Sequence, residues 1–369
     1  MKRRTICKNL AAHRFALTVL AAGLAAIALF RALRSRQMAM QWWVETISMP
    51  IKRAVSALVD PLPFSFCELA ATAAILFCLV MLARCIWQAV RMHRYRFGTW
   101  ALHTAAAAVW IYAAVCALWG TQYYVPGFAS QAGMTAPPLS VESLAVTADY
   151  FAQQANALAD AVPRNSDGSI AADKVQILEN GAANFDGVIG DYPFLQGPAR
   201  RAKPAFYSKL MSAAGFTGYL CPLFGESTLN VDCPTVFLPV TVAHEISHQR
   251  GVAAEQEANF VGIRAAVSSN EALWAYSGWL FGYLHLSNAW YSADPQAASA
   301  HYRTLSASAQ ADMAENNAYW ARWEGPARTA GETVYTGFLK GYDQELGMKS
   351  YGACVDLLVE YYYPLACGQ

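Results

Sequence analysis

Charge is scarce in this 369-residue chain: Asp, Glu, Lys and Arg make up 14% of it, hydrophobic residues 55%, and the formal net charge is +1. Soluble globular domains carry about 25% charged residues, so part of the chain is expected to lie out of water. The near-zero charge, and the lack of any basic stripe in the C-terminal two thirds, exclude nucleic acid as a partner, because nothing there would neutralise phosphates. No glycine-rich phosphate loop occurs, which removes the nucleotide-hydrolysing classes built on one. No two cysteines have the CxxC spacing of a zinc knuckle, and no internal repeat is visible. Histidine is also rare, at seven residues.

Charge is almost absent from three stretches. Phe15 to Phe30 is unbroken apolar and small sequence, Ser65 to Ala83 is interrupted only by Glu68, and Ala101 to Trp119 only by His103. Helices of about 20 apolar residues cross a bilayer, which predicts spans at about 15–30, 65–83 and 101–119 within a membrane region covering 1–123. Lys2, Arg3, Arg4, Lys8 and Arg14 precede the first span, and Arg84, Arg91, Arg94 and Arg96 fill the second loop. Both clusters belong in the cytoplasm by the positive-inside rule, although the first loop, with Arg31, Arg34, Arg36, Lys52 and Arg53, runs against it. Three spans then deliver the rest of the chain to the extracytoplasmic side of the cell membrane, with the lipid bilayer as a partner. Cys221, Cys233, Cys354 and Cys367 in that portion form two close pairs. Of three possible connectivities, Cys221–Cys233 and Cys354–Cys367 is favoured in an oxidising compartment.

Residues 126–140, PGFASQAGMTAPPLS, read as a linker, set at 124–140, ahead of an exported domain at 141–369. Leu144, Phe151, Leu158 and Val162 recur at helical intervals, with Ser140 as cap, predicting a helix from Val141 to Val162. A turn follows at Pro163 to Gly168, then short helices at Asp173 to Leu178 and Phe206 to Ala214, with extended chain from Gly218 to Phe237. Further helices are expected at Phe260 to Val267, Ala272 to Trp290, Ala309 to Trp323 and Glu332 to Leu346. Ala272 to Trp290 contains His285 and several glycines and is expected to be a buried core helix, with His301 at the surface. The predicted fold is therefore mainly α: a three-helix transmembrane region, then a helical domain with a small β element.

Within that domain His244, Glu245 and His248 form HExxH. By chance the motif would arise in a chain of this composition with a probability of roughly one in a hundred. On a helix, residues four apart share a face, so both imidazoles reach one metal ion while Glu245 points at the water it holds. Bound zinc lowers the pKa of water toward about 7, and a carboxylate beside it accepts the proton. Pro239 lies upstream of the motif and Gly251 follows His248 by three residues, marking the helix end. The stop matters, because on an unbroken helix a carboxylate seven residues past His248 would lie about 10 Å farther along the axis. Glu255 and Glu257 both compete for the third ligand position, and spacing does not choose between them.

The segment Glu255, Gln256, Glu257, Ala258, Asn259 resembles the ExEAD and ExEAN segments of membrane zinc peptidases. That resemblance implies Glu255 as metal ligand and Asn259 as the residue orienting a ligand. The wider stretches GFTGYLCPLFGESTLNVDCPTVFLPVTVAHEISHQRGVAAEQEANF and GFLKGYDQELGMKSYGACVDLLVEYY resemble a bacterial membrane family known as domain of unknown function 3810, over most of the chain. The resemblance implies a zincin-like metallopeptidase domain behind a few membrane helices, with extended chain around Thr228 to Val236 leading into the metal helix. The implied function is a membrane-anchored, Zn2+-dependent peptidase acting on a peptide or protein substrate. His244, His248 and Glu255 would hold the ion, Glu245 would be the general base, and Tyr351, on a turn of the second stretch, would donate to the developing oxyanion. The alternative is a non-catalytic zinc-binding membrane sensor or assembly protein, which a closed four-ligand shell would distinguish.

Overall fold

A computed structural model describes residues 13–92, 96–135, 139–198, 200–344 and 351–368, of 351–353 the backbone alone. It divides into two units, one formed by Met1–Ala54, Phe66–Val125 and Pro222–Phe224, the other by Val55–Ser65, Pro126–Cys221 and Gly225–Gln369.

In the first unit, α1 (Arg14–Leu33), α4 (Phe66–Met92) and α5 (Phe97–Leu118) are the described helices long and apolar enough to cross a membrane. Their surfaces are mostly exposed: Ile75, Phe77 and Val80 of α4 are each more than 60% accessible, a pattern compatible with helices able to cross a bilayer. Between α1 and α4 lie α2 (Gln37–Trp43), a π-helical turn and α3 (Met49–Val59). The Trp43 indole donates to Ala117 O at 2.8 Å and Ser48 Oγ to Leu118 O at 2.7 Å, which satisfies carbonyls at the end of α5.

The second unit is mainly helical. The stretch expected as a linker, 124–140, contributes instead to its core: α6 (Phe128–Ala132) buries Phe128 to 2% exposure against Tyr192, Phe194 and Phe260. A Pro- and Gly-rich composition concealed one large aromatic with a socket to fill. The helix α7 (Val141–Ala159) begins at Ser140, whose side chain and that of Ser143 cap each other's backbone N–H groups. After it come α8 (Lys174–Asn180), α9 (Asp186–Asp191), β1 (Lys203–Pro204), α10 (Ser208–Ala214), β2 (Gly218–Cys221) and β3 (Glu226–Leu229). The long extended stretch expected over 218–237 is thus a short hairpin followed by a 3-10 turn at Thr235–Phe237. The sheet order is β1-β3-β2, with β1 parallel and β2 antiparallel to β3, and Gly218 opposite Leu229.

The chain continues from the sheet into α11 (Leu238–Gln249), α12 (Glu255–Val267), α13 (Ala272–Ala293), α14 (Pro295–Tyr302), α15 (Ala307–Ala321), α16 (Pro326–Gly341) and α17 (Tyr351–Ala366). The core forms where α7 crosses α13: Phe151 lies so close to Gly282 that a Cβ there would come within 2.2 Å of its ring. Phe151 also meets Trp279 and Tyr362 edge-on, each at 4.8 Å. His301, expected at the surface, is half-buried, with Nε2 3.1 Å from Asp149 Oδ1.

The expected disulfides do not form: neither Cys221 and Cys233 nor Cys354 and Cys367 are bridged. Cys354 lies within α17 and Cys367 just past its end, and thirteen helical residues span about 20 Å, whereas bridged cysteines have Cα atoms at most about 7 Å apart. Cys221 borders the β2–β3 turn, while Cys233 lies four residues beyond Leu229 at the hairpin's open end. Proximity in sequence misleads wherever a regular element carries the two residues apart.

Candidate metal centre

The site is assembled from α11, the turn after it and the start of α12. His244 and His248 stand one turn apart on α11, their rings edge-to-face with centroids 4.7 Å apart. The helix ends because Gly251 adopts a φ of 101°, in the left-handed region open to glycine. The Val252 N–H then returns to Ser247 O at 3.1 Å. This reversal also brings the Val252 carbonyl to 2.6 Å from His248 Nδ1. A carbonyl only accepts, so Nδ1 holds the proton and donates, leaving the Nε2 lone pair for a ligand-binding role.

Immediately after the reversal α12 opens with Glu255, whose Oε2 is 3.3 Å from His244 Nε2 and whose Oε1 is 3.6 Å from His248 Nε2. Ligand atoms of His244, His248 and Glu255 all lie within 4.8 Å of one another. The spacing of α11 and α12 depends on Gly262, where a Cβ would come 2.9 Å from the backbone nitrogen of His244. Burial disfavours the charged imidazole of His248, but the Glu255 carboxylate beside it outweighs that effect and raises its pKa to about 9. Burial likewise opposes the charge on Glu255, and the two imidazoles outweigh it, holding this carboxyl well below its usual range.

Glu245, next to His244 on the helix, is 4% exposed, and its Oε2 makes no hydrogen bond among the described residues. Gly218 of β2 lies against it: a Cβ there would come 2.7 Å from Glu245 Oε1. Burial raises the Glu245 pKa, partly countered by His244 and His248. A carboxylate made more basic by its surroundings is suited to accept a proton near neutral pH. Ser227 of β3 donates to the Glu245 carbonyl at 3.1 Å and accepts from Gln249 Nε2 at 2.9 Å, fixing α11 to the sheet.

Of the two competing carboxylates, Glu255 joins the imidazoles and Glu257 does not. Glu257 accepts from the backbone N–H groups of Phe128, at 2.8 Å, and Ala129, at 3.0 Å, at the start of α6. Asn259 makes no side-chain hydrogen bond among the described residues. Tyr351 opens α17, but its side chain lies outside those described. A residue that sequence reading passed over is Tyr335 of α16, whose hydroxyl donates to Glu255 Oε1. Its ring meets Phe216 edge-on at 5.6 Å. Nothing in the sequence singled it out from the other aromatics of that helix, 80 residues past its partner.

Two imidazoles and one carboxylate match the donor set of a hydrolytic zinc site. Glu245 Oε2 beside them, without a hydrogen-bond partner among the described residues, fits a bound polar group at the centre. No curated protein and no solved structure matches the chain. A family model described as protein of unknown function (DUF3810) matches residues 43–359, which include the whole candidate site. The chain therefore belongs to the DUF3810 family.

Proposed function

We propose that this protein is a membrane-anchored zinc peptidase. The observation that carries the reading is the convergence of His244, His248 and Glu255 within 4.8 Å, with the buried carboxylate of Glu245 alongside. Zn2+ held by those three residues would acidify water and polarise a substrate carbonyl. Glu245 would take the proton from the attacking water on Oε2, which has no hydrogen-bond partner among the described residues, and return it to the leaving amine as the C–N bond breaks. Tyr335, hydrogen-bonded to Glu255, orients that ligand. Gly218 leaves the space that the Glu245 carboxylate occupies.

A hydrolytic role is favoured over a purely structural zinc site because a fourth protein ligand is wanting among the described residues. Glu257 is committed to two backbone N–H groups, and no described cysteine joins the cluster. Sidedness is inferred from the basic residues before α1 and from Arg84, Arg91, Arg94 and Arg96, in the last third of α4 and just before α5, which belong in the cytoplasm. The site then faces outward, on the same side as the loop between α1 and α4, whose residues Val55–Ser65 belong to the second unit.

Metal content and hydrolysis of a peptide library, measured on the full-length protein, test this reading. Glu245→Gln is expected to keep zinc and lose about 10²–10⁴-fold in rate, whereas His248→Ala is expected to lose the metal. Full activity in Glu245→Gln refutes the role given to that carboxylate.

A further inference from the structure

The second unit carries an apolar patch that its core does not use. Phe206, Tyr207 and Leu210 are 62%, 44% and 67% exposed. Tyr207 stands at the start of α10 and Leu210 lies three residues on, so the two share one side of the helix. The segment is held in place by Ser208, which donates to Ala205 O at 2.9 Å and accepts from the Val231 N–H at 3.2 Å. Lys209 is exposed between them. Aromatic, aliphatic and lysine side chains in one patch have the composition of the membrane–water interface, where ring and chain enter the lipid and the ammonium stays among the headgroups.

Chain connectivity says what covers the patch. The Phe206 ring is 6.0 Å from that of Phe64, and Phe64 is two residues, about 7 Å of chain, from the first residue of α4. The segment carrying Phe64 is fastened to the same surface. Lys203 Nζ donates to Val59 O at 2.5 Å, Arg201 to Asp60 O at 3.0 Å and to Pro61 O at 2.9 Å, and Ser65 Oγ to Glu226 Oε1 at 2.9 Å. Leu58, at the start of this segment, is 79% exposed. We propose that Leu58, Phe64, Phe206, Tyr207 and Leu210 form a lipid-docking face of the second unit that rests in the bilayer interface. The proposal rests on α4 crossing the membrane and not on the metal chemistry, so either can fail alone.

The test uses full-length protein in lipid nanodiscs doped with a phospholipid carrying a photoreactive diazirine high in its acyl chain, with adducts mapped by mass spectrometry. Adducts are expected at 206–210 and 58–64 as well as in α1, α4 and α5, and absent from Val175, which is exposed to 51% on α8. Phe206→Ser combined with Leu210→Ser should lose the adducts at 206–210 while those in the spans persist. Labelling confined to the spans in the parent protein, or equal labelling of Val175, overturns the proposal whatever the variant does.

Discussion

Replacing Gly262 by alanine tests how the site is set more sharply than removing a ligand does. A Cβ at 262 would lie 2.9 Å from the backbone nitrogen and 3.0 Å from the Cα of His244. Ordinary van der Waals contact begins near 3.4 Å, so α11 and α12 must part by about half an ångström, and the obstructing atoms are backbone with no rotamer to change. Overpacking of this kind costs about 1–3 kcal/mol, against which alanine's better helix propensity contributes about 1 kcal/mol. A net loss of up to about 2 kcal/mol lowers Tm by a few degrees in a unit of this size. The larger effect falls on metal affinity, because His244 and His248 sit on one helix and Glu255 on the other, while metal–ligand distances tolerate only about 0.2 Å. Zinc affinity, read by competition with a chromophoric chelator, is expected to fall about 10–100-fold, as when a supporting residue is lost. Gly337→Ala on α16 is the control: a Cβ there meets nothing within 4 Å, so Tm should hold or rise and zinc binding should be unchanged. If Gly262→Ala behaves like Gly337→Ala in both measurements, helix spacing does not set the site.

Two other outcomes are expected. Burial, reinforced by His244, lowers the pKa of His285 to about 4 from 6.5; a base depressed in the folded state gives stability that is present above pH 6.5 and lost as pH falls toward 4, here about 3 kcal/mol. Denaturant titrations at about pH 7 and about pH 4.5 should show that loss in the parent and a smaller one in His285→Leu; equal losses refute the assignment. Non-reducing peptide mapping should find neither a Cys221–Cys233 nor a Cys354–Cys367 bridge, and Cys367, the exposed thiol, should alkylate in the native protein ahead of buried Cys354; a native bridge at either pair contradicts the geometry of the hairpin or of α17.

What could be read along the chain was whatever one element contains. The spans were legible because length and composition alone make a helix able to cross a membrane, and the observed Arg14–Leu33, Phe66–Met92 and Phe97–Leu118 differ from expectation chiefly at their ends. The pairing of His244 with His248 was legible because helical geometry relates residues four apart, and Gly251 announced the reversal. The Ser140 cap was equally local. Cysteine spacing failed because it says nothing of the strand or helix between two thiols.

A mainly helical chain with three apolar helices long enough to cross a membrane, and a pair of histidines on a helix with a marked end, could thus be established from residue order. Which carboxylate meets those histidines was settled only on folding: Glu257 is claimed by Phe128 and Ala129, from a stretch that looked like a spacer, and Glu255 is left to turn inward. Folding likewise supplied Tyr335 and placed Gly218 against Glu245. Local periodicity sets direction within one element, whereas the choice among neighbouring side chains is made by partners tens of residues away that compete for the same hydrogen bonds and the same space.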